Sequence, residues 1–242
     1  MLTPTRPHHQ IIWKILEGLD SGFLAQNNIL FGGGTRIALE LGEYRESVDI
    51  DLFCVGKDAY RAARSSITQN SFGALFRPDC EPPLFKGREI RADRDAIRSI
   101  VDGAGRPIKL EIIHFDSDDI TIYSDNSLFP VAVVSAESCF TTKLLANADR
   151  YQDSLKDIVD LLMMRESWGD VGEQAWQSAY QQYGERVVLQ SLTGALQKLI
   201  EEPAEAQARL TKEMRIHQPL AKMLTTEMPQ SWLASGRLAF YL

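Results

Sequence analysis

In Ser47-Val48-Asp49-Ile50-Asp51-Leu52-Phe53, apolar and polar residues alternate with the period of a β-strand, so Asp49 and Asp51 point to one face and Ile50 and Leu52 to the other. Two carboxylates on one face, with Cα atoms roughly 7 Å apart, can converge on divalent cations. Such a pair suits phosphoryl or nucleotidyl transfer, in which two ions about 3.5–4 Å apart steady the attacking and leaving oxygens. An oxygen-only ligand set points to Mg²⁺, with Mn²⁺ as the substitute. A D-x-D alone also occurs on exposed strand faces and in loops. A third acid is therefore sought, and Glu111 is in phase: Ile108, Leu110 and Ile112 mark one face of its segment, and Lys109, Glu111 and Ile113 the other.

Upstream of the pair, an apolar segment runs into Gly32-Gly33-Gly34-Thr35 and a short helical pattern. A strand that stops at glycines and opens a helix presents backbone N–H groups to a phosphate, with no side chain between. Gly33, Gly34 and Thr35 are thus candidates to cradle a triphosphate; the alternative is a tight turn with no ligand. The dinucleotide fingerprint G-x-G-x-x-G fails at Ile37, and no G-K-[ST] loop is present. The histidines, His8, His9, His114 and His217, show no metal-ligand spacing, and His8 and His9 fall in a segment expected to fray. Trp13, Trp168, Trp176 and Trp232 read as core or interface anchors.

The elements that must position these groups follow from periodicity and punctuation. Helices are expected over 11–24, over 36–41 with Thr35 as cap and Gly42 as stop, and over 58–70 with Asp58 as cap. Strands are expected at 28–31, 48–55, 95–101, 107–114 and 130–134, with Asp102-Gly103-Ala104-Gly105 as a hairpin loop. From Ser135 the pattern is helical, and Ser154-Leu155-Lys156-Asp157 resembles a capping box above a stripe of Leu155, Ile158, Val159 and Leu162. The fold class is α/β (α+β), with a mixed-sheet domain over 1–135 and a helical domain over 136–242.

The 242 residues suffice for either one large or two small domains, and 44% hydrophobic content excludes a disordered chain. No apolar run approaches the roughly 18 residues of a membrane span, and the first ten residues lack the core of a signal peptide. A cytoplasmic protein is expected. Cys54, Cys80 and Cys139 are odd in number and widely spaced, and read as buried free thiols. The net charge of −7 argues against a protein that coats nucleic acid. Residues 86–98 are the local exception, with Lys86, Arg88, Arg91, Arg94 and Arg98 against three acids.

The stretch ILFGGGTRIALELGEYRESVDIDLF resembles the first motif of the DNA polymerase β-like nucleotidyltransferases, and in particular of the AbiEii/AbiGii-type toxin family. In that family a Gly-Gly-Thr turn leads to an Arg-x-Ser-x-Asp-Ile-Asp-Leu strand; here the positions are Gly33, Gly34 and Thr35, then Arg45, Ser47, Asp49, Ile50, Asp51 and Leu52. A second stretch matches the family's basic helix followed by Arg-Asp-x-x-Asp-Leu, with Lys143 and Arg150, then Lys156-Asp157-Ile158-Val159-Asp160-Leu161. Lys156 stands where the family has arginine, keeping the charge and losing the planar fork. The resemblance covers about 10–165 and is concentrated at 29–53 and 139–162.

Read without the family, Lys143, Asn147 and Arg150 share one helix face, either as a solvated stripe or as a nucleotide clamp. With it, Lys143, Arg150 and Lys156 are expected to neutralise phosphate, Asp157 and Asp160 to orient them, and Ser47 to join the nucleotide site. The resemblance further implies an NTP substrate, an RNA or tRNA acceptor, and a bacterial toxin–antitoxin or phage-defence setting with a cognate antitoxin. Two other functions fit the same residues: transfer to a small molecule such as an antibiotic, and a catalytically inactive NTP-binding regulatory module.

Overall fold

The computed structural model describes residues 1–115, 120–123 and 127–240 and divides into two compact units. The first comprises Met1–Glu43 with Ser47–Ser135; the second comprises Ala136–Leu242 and also takes in Tyr44–Glu46.

In the first unit, α1 (Pro7–Gly18) and α2 (Ser21–Gln26) precede β1 (Ile29–Gly32), α3 (Gly33–Glu40), β2 (Asp49–Val55) and α4 (Lys57–Ser66). Three strands follow: β3 (Arg91–Ala92), β4 (Ala96–Gly103) and β5 (Arg106–Phe115). They form one mixed sheet in the order β1-β2-β5-β4-β3, antiparallel throughout except for the β2–β5 pair. Parallel neighbours need a crossover. Here α4, β3 and β4 lie between them in sequence.

The hairpin turns through Ala104 and Gly105, both at positive φ, the two-residue geometry that matches strand twist. Asp102 Oδ1 accepts the Gly105 N–H at 2.5 Å. On one sheet face, Ile50, Leu52, Cys54, Ile97, Val101, Ile108, Leu110 and Ile112 join Ile12 and Leu16 of α1 and Ala59 and Ala63 of α4 in a continuous core. Truncating a fully buried member such as Ile50 to Ala costs about 2–5 kcal/mol. The opposite face carries Asp49, Asp51, Lys109, Glu111 and Arg98.

Several expectations need correction. The helix expected at 11–24 is two: Pro7 opens the first four residues earlier, and Asp20 caps the second by accepting the Phe23 N–H at 2.8 Å. Thr35 does not cap α3; it lies inside the first turn, where its hydroxyl donates to the Asp49 carbonyl and accepts from the Ser47 hydroxyl. Gly42 does stop the helix, at positive φ with the Glu43 N–H returning to the Ala38 carbonyl at 2.7 Å. The strand expected at 130–134 is reduced to bridges at Val133 and Val134.

His8 and His9 are buried. The His9 ring lies 2.8 Å from Glu43 through Nδ1 and accepts the Ser47 N–H at 2.9 Å through Nε2. Burial holds its pKa below the ordinary value, against the pull of Glu43. Cys80 is exposed, whereas Cys54 and Cys139 are buried.

The second unit is helical: α5 (Ala136–Arg150), α6 (Lys156–Trp168), α7 (Glu173–Tyr183), α8 (Glu185–Glu201), α9 (Pro203–Glu213), α10 (Gln218–Met223) and α11 (Glu227–Leu233). Leu155, Ile158, Val159 and Leu162 are buried as the apolar stripe requires. The capping box does not form. Ser154 Oγ accepts the Lys156 N–H at 3.2 Å, but the Asp157 carboxylate turns to Lys143 and Arg150 instead of the helix start. Among the described residues, no helix is long and apolar enough to cross a membrane.

Candidate active site

Register places the acids. Gly32, Asp51, Glu111, Arg98 and Arg91 are direct partners in turn across the five strands, so their side chains share one sheet face. Asp49 is paired with Lys109 in the neighbouring row. Adjacent strands lie about 4.8 Å apart, which brings Asp51 and Glu111 within joint reach of one small ligand. The row runs from Asp51 through the Glu111 carboxylate in the middle to Arg98 and to Arg91 at the β3 edge.

Asp51 also explains the glycine turn. A Cβ on Gly33 would lie 1.9 Å from Asp51 Oδ2, and one on Gly32 would lie 2.6 Å from the Phe53 ring. Gly33 has φ +70, so both backbone and space demand glycine there. The carboxylate therefore sits directly against the N-terminus of α3, whose first N–H groups have no acceptor within the helix. Thr35 and Ser47 are buried, and their hydroxyls are bonded to each other at 2.8 Å, tying the turn to the entry of β2. What the Gly33-Gly34-Thr35 turn can offer a phosphate is backbone.

Glu111 is not a free third carboxylate. Its Oε1 accepts from Arg98 Nε at 3.0 Å and its Oε2 lies 2.5 Å from Lys109 Nζ, with its side chain 15% exposed. Arg98 reaches on to Asp93 Oδ2 at 2.5 Å. With both Glu111 oxygens on cations, no three His, Cys, Asp or Glu side chains among the described residues are arranged to hold a metal ion. The donor set of Asp49 and Asp51, hard oxygens only, suits Mg²⁺ with phosphate oxygens and water completing the shell. A cavity of about 510 Å³ opens at the other end of β2, lined by Asn28, Val55, Gly56 and Lys57. It lies some six residues, roughly 20 Å, along the strand from Asp49, too far to serve the acids.

In the second unit the sequence-selected residues Lys143, Arg150, Asp157 and Asp160 come together in one ion network. Lys143 Nζ lies 2.8 Å from Asp157 Oδ1 and 2.7 Å from Asp160 Oδ2, buried between them. Arg150 grips Asp157 through Nε and Nη2 at 2.6 and 3.0 Å while its own side chain remains 53% exposed. Lys156 is exposed at the start of α6.

Arg45 and Tyr44, for which the sequence suggested no role, complete the network. Arg45 holds both oxygens of Asp160 at 2.6 and 2.9 Å, and the Tyr44 hydroxyl donates to Asp160 Oδ1 at 2.5 Å. Burial pushes the Asp157 and Asp160 carboxyls up, but Lys143 with Arg150, and Arg45 with Lys143, hold them net below the usual carboxylate range. Burial pushes Lys143 down, and the same two aspartates hold it net above its ordinary value. The available signal for Arg45 was its place in the Arg-x-Ser-x-Asp stretch.

Residues 14–234 match the family described as nucleotidyl transferase AbiEii toxin, type IV toxin–antitoxin system. The chain belongs to that family. AbiEii membership makes it a nucleotidyltransferase of the toxin–antitoxin type. Two solved structures share the fold of this AbiEii chain. JHP933 from Helicobacter pylori aligns with a TM-score of 0.54 at 16% identity, covering 97% of this chain and 93% of that one. A candidate nucleotidyltransferase from H. pylori aligns at 0.51 and 15% identity, covering 97% and 96%. No protein of curated function matches the sequence.

Proposed function

We propose that the AbiEii chain transfers a nucleoside monophosphate from an NTP to a hydroxyl of RNA, tRNA included, with Asp49 and Asp51 as the metal-binding carboxylates. The observation that carries the reading is the seating of Asp51: in register with Glu111 on one side, and against Gly33 at the opening of α3 on the other. Carboxylates for cations and bare backbone for phosphate thus meet at one point.

Two Mg²⁺ ions held by Asp49 and Asp51 would supply charge neutralisation at the transferring phosphoryl group. The backbone of Gly33, Gly34 and Thr35 binds the β and γ phosphates, with Ser47 fixing the turn through Thr35. The acceptor oxygen bonds to the α-phosphorus as the bond to the β-phosphate oxygen breaks, and pyrophosphate leaves in line. Glu111 orients the acceptor hydroxyl and takes its proton. As a third metal ligand Glu111 would have to exchange Arg98 or Lys109 for the cation. In the second unit, Arg150 is the exposed cation of the network, and Lys156, exposed outside it at the start of α6, is a second group able to neutralise phosphate. Lys143, Asp157 and Asp160 are positioning residues, acting through Arg150.

The test incubates the wild type and an Asp49→Ala variant with labelled NTPs, Mg²⁺ and total RNA. Labelling by the variant should fall by at least about 10³-fold with an unchanged melting temperature. Equal labelling by both proteins would remove the assignment. Labelling of a small molecule in place of RNA would leave the metal site standing and change the acceptor.

A further inference from the structure

We infer that the β4–β3 edge of the sheet is the track on which the phosphate backbone of the acceptor RNA lies. This rests on the reading of RNA as the acceptor.

Of the basic stretch singled out in the sequence, 86–98, the fold places Arg91 and Arg98 on the acid-bearing face. Arg91 pairs with Arg98, and Arg98 with Glu111, so two cations continue the row that begins at Asp51. Lys109, beside Asp49, adds a third in the next row. From Asp51 to Arg91 is three strand spacings, roughly 14 Å. Arg94 projects from the β3–β4 turn with its side chain 96% exposed. Lys86, Arg88 and Arg91 are exposed and, among the described residues, have no acid within ion-pair distance.

Charges on an edge strand also guard against sheet-to-sheet association. That role needs cations on the edge only, whereas here they run inward to Arg98 on β4 and Lys109 on β5, in the middle of the sheet. The inward end is also where they meet Glu111, the residue that orients the acceptor hydroxyl. A polyanion whose backbone follows Arg94, Arg91, Arg98 and Lys109 is delivered to that carboxylate. An aminoglycoside-like cation would be repelled along the same path. Since the whole chain carries −7, such a local field is also what makes binding of RNA directional.

The experiment titrates a labelled single-stranded RNA by anisotropy at several salt concentrations. It compares the wild type, Arg91→Glu/Arg94→Glu, and a control with the same charge change on α4, Lys57→Glu/Arg61→Glu. The track variant should bind about tenfold more weakly or worse, and its slope of log K against log salt should shrink by about 0.7 per lost phosphate contact. The control should keep the wild-type slope, and NTP binding by calorimetry should be equal in all three. Arg94→Gln alone, at a site too exposed to disturb folding, should lose about one such contact.

Equal losses in track variant and control, or a track variant whose slope and KM for RNA match those of a wild type that labels RNA, overturn the track while leaving the RNA acceptor in place. A wild type that neither binds nor labels RNA overturns both.

Discussion

Each unit holds a cluster of carboxylates drawn from the conspicuous motifs, and the two are built on opposite principles. In the first, Asp49 and Asp51 stand half-exposed on an open sheet face, against a glycine turn that leaves room for a ligand. In the second, Asp157 and Asp160 are buried, and every carboxylate oxygen lies on Arg45, Lys143, Arg150 or Tyr44. Burying a charge is tolerated only when it is paired and hydrogen-bonded, and the second cluster meets that condition in full. In the function proposed above the same residue type serves architecture in one unit and chemistry in the other, and depth of burial separates them.

Asp160→Ala tests that distinction with the largest expected effect on stability. It strands Arg45 and Lys143 as buried cations without their shared partner, which should cost about 3–5 kcal/mol. In a chain of this length that lowers the melting temperature by roughly 10 °C. Asp49→Ala, by contrast, should leave the melting temperature within about 1 °C, since among the described residues its partly exposed carboxylate makes no ion pair. Similar thermal losses in the two variants would abolish the comparison.

Gly33→Ala comes next and acts on the open cluster. A methyl group 1.9 Å from Asp51 Oδ2 forces the carboxylate to move, and φ of +70 adds backbone strain. A misplacement on the order of 1 Å in a reacting group costs about 10²-fold in turnover. Nucleotide transfer should therefore fall by about that factor, while stability falls by about 1–3 kcal/mol. A variant with full activity would show that Asp51 does not need its seat against the turn.

How much of this was legible in the sequence depended on range. The phase of Asp49 and Asp51, the in-phase Glu111, the Asp102-Gly103-Ala104-Gly105 turn and the stop at Gly42 follow from local periodicity and backbone chemistry, and all appear in the structure. The α1–α2 break is signalled locally too, by Asp20 as the cap of α2, and the longer apolar periodicity conceals it. Partners distant in the chain left no such trace. Arg45 and Asp160 are 115 residues apart, and His9 meets Ser47 across 38. Nor could strand phase reveal that Glu111 is already held by Arg98 and Lys109, because that follows from sheet order. Thr35 is not the cap that its residue type suggests, because α3 starts two residues earlier at Gly33 and the Thr35 hydroxyl is engaged by Ser47 and the Asp49 carbonyl once β2 is in place.

The smallest of the expected effects is in the pH dependence, and it sharpens the contrast without touching activity. The Asp157 and Asp160 carboxyls are held below their unfolded values by the cations around them, so the folded state binds fewer protons than the unfolded one at acid pH. The stability they contribute is present above the unfolded pKa of about 3.9 and is lost as the pH falls below it. At the alkaline end Lys143 has the opposite sign: its raised pKa contributes stability below about 10.4 that fades as the pH climbs through the folded value. Melting temperatures of the wild type should drop steeply below about pH 4. An Asp157→Asn variant should start lower at neutral pH and lose less between pH 4 and 2. Parallel curves for the two proteins would mean that the network does not carry the acid sensitivity.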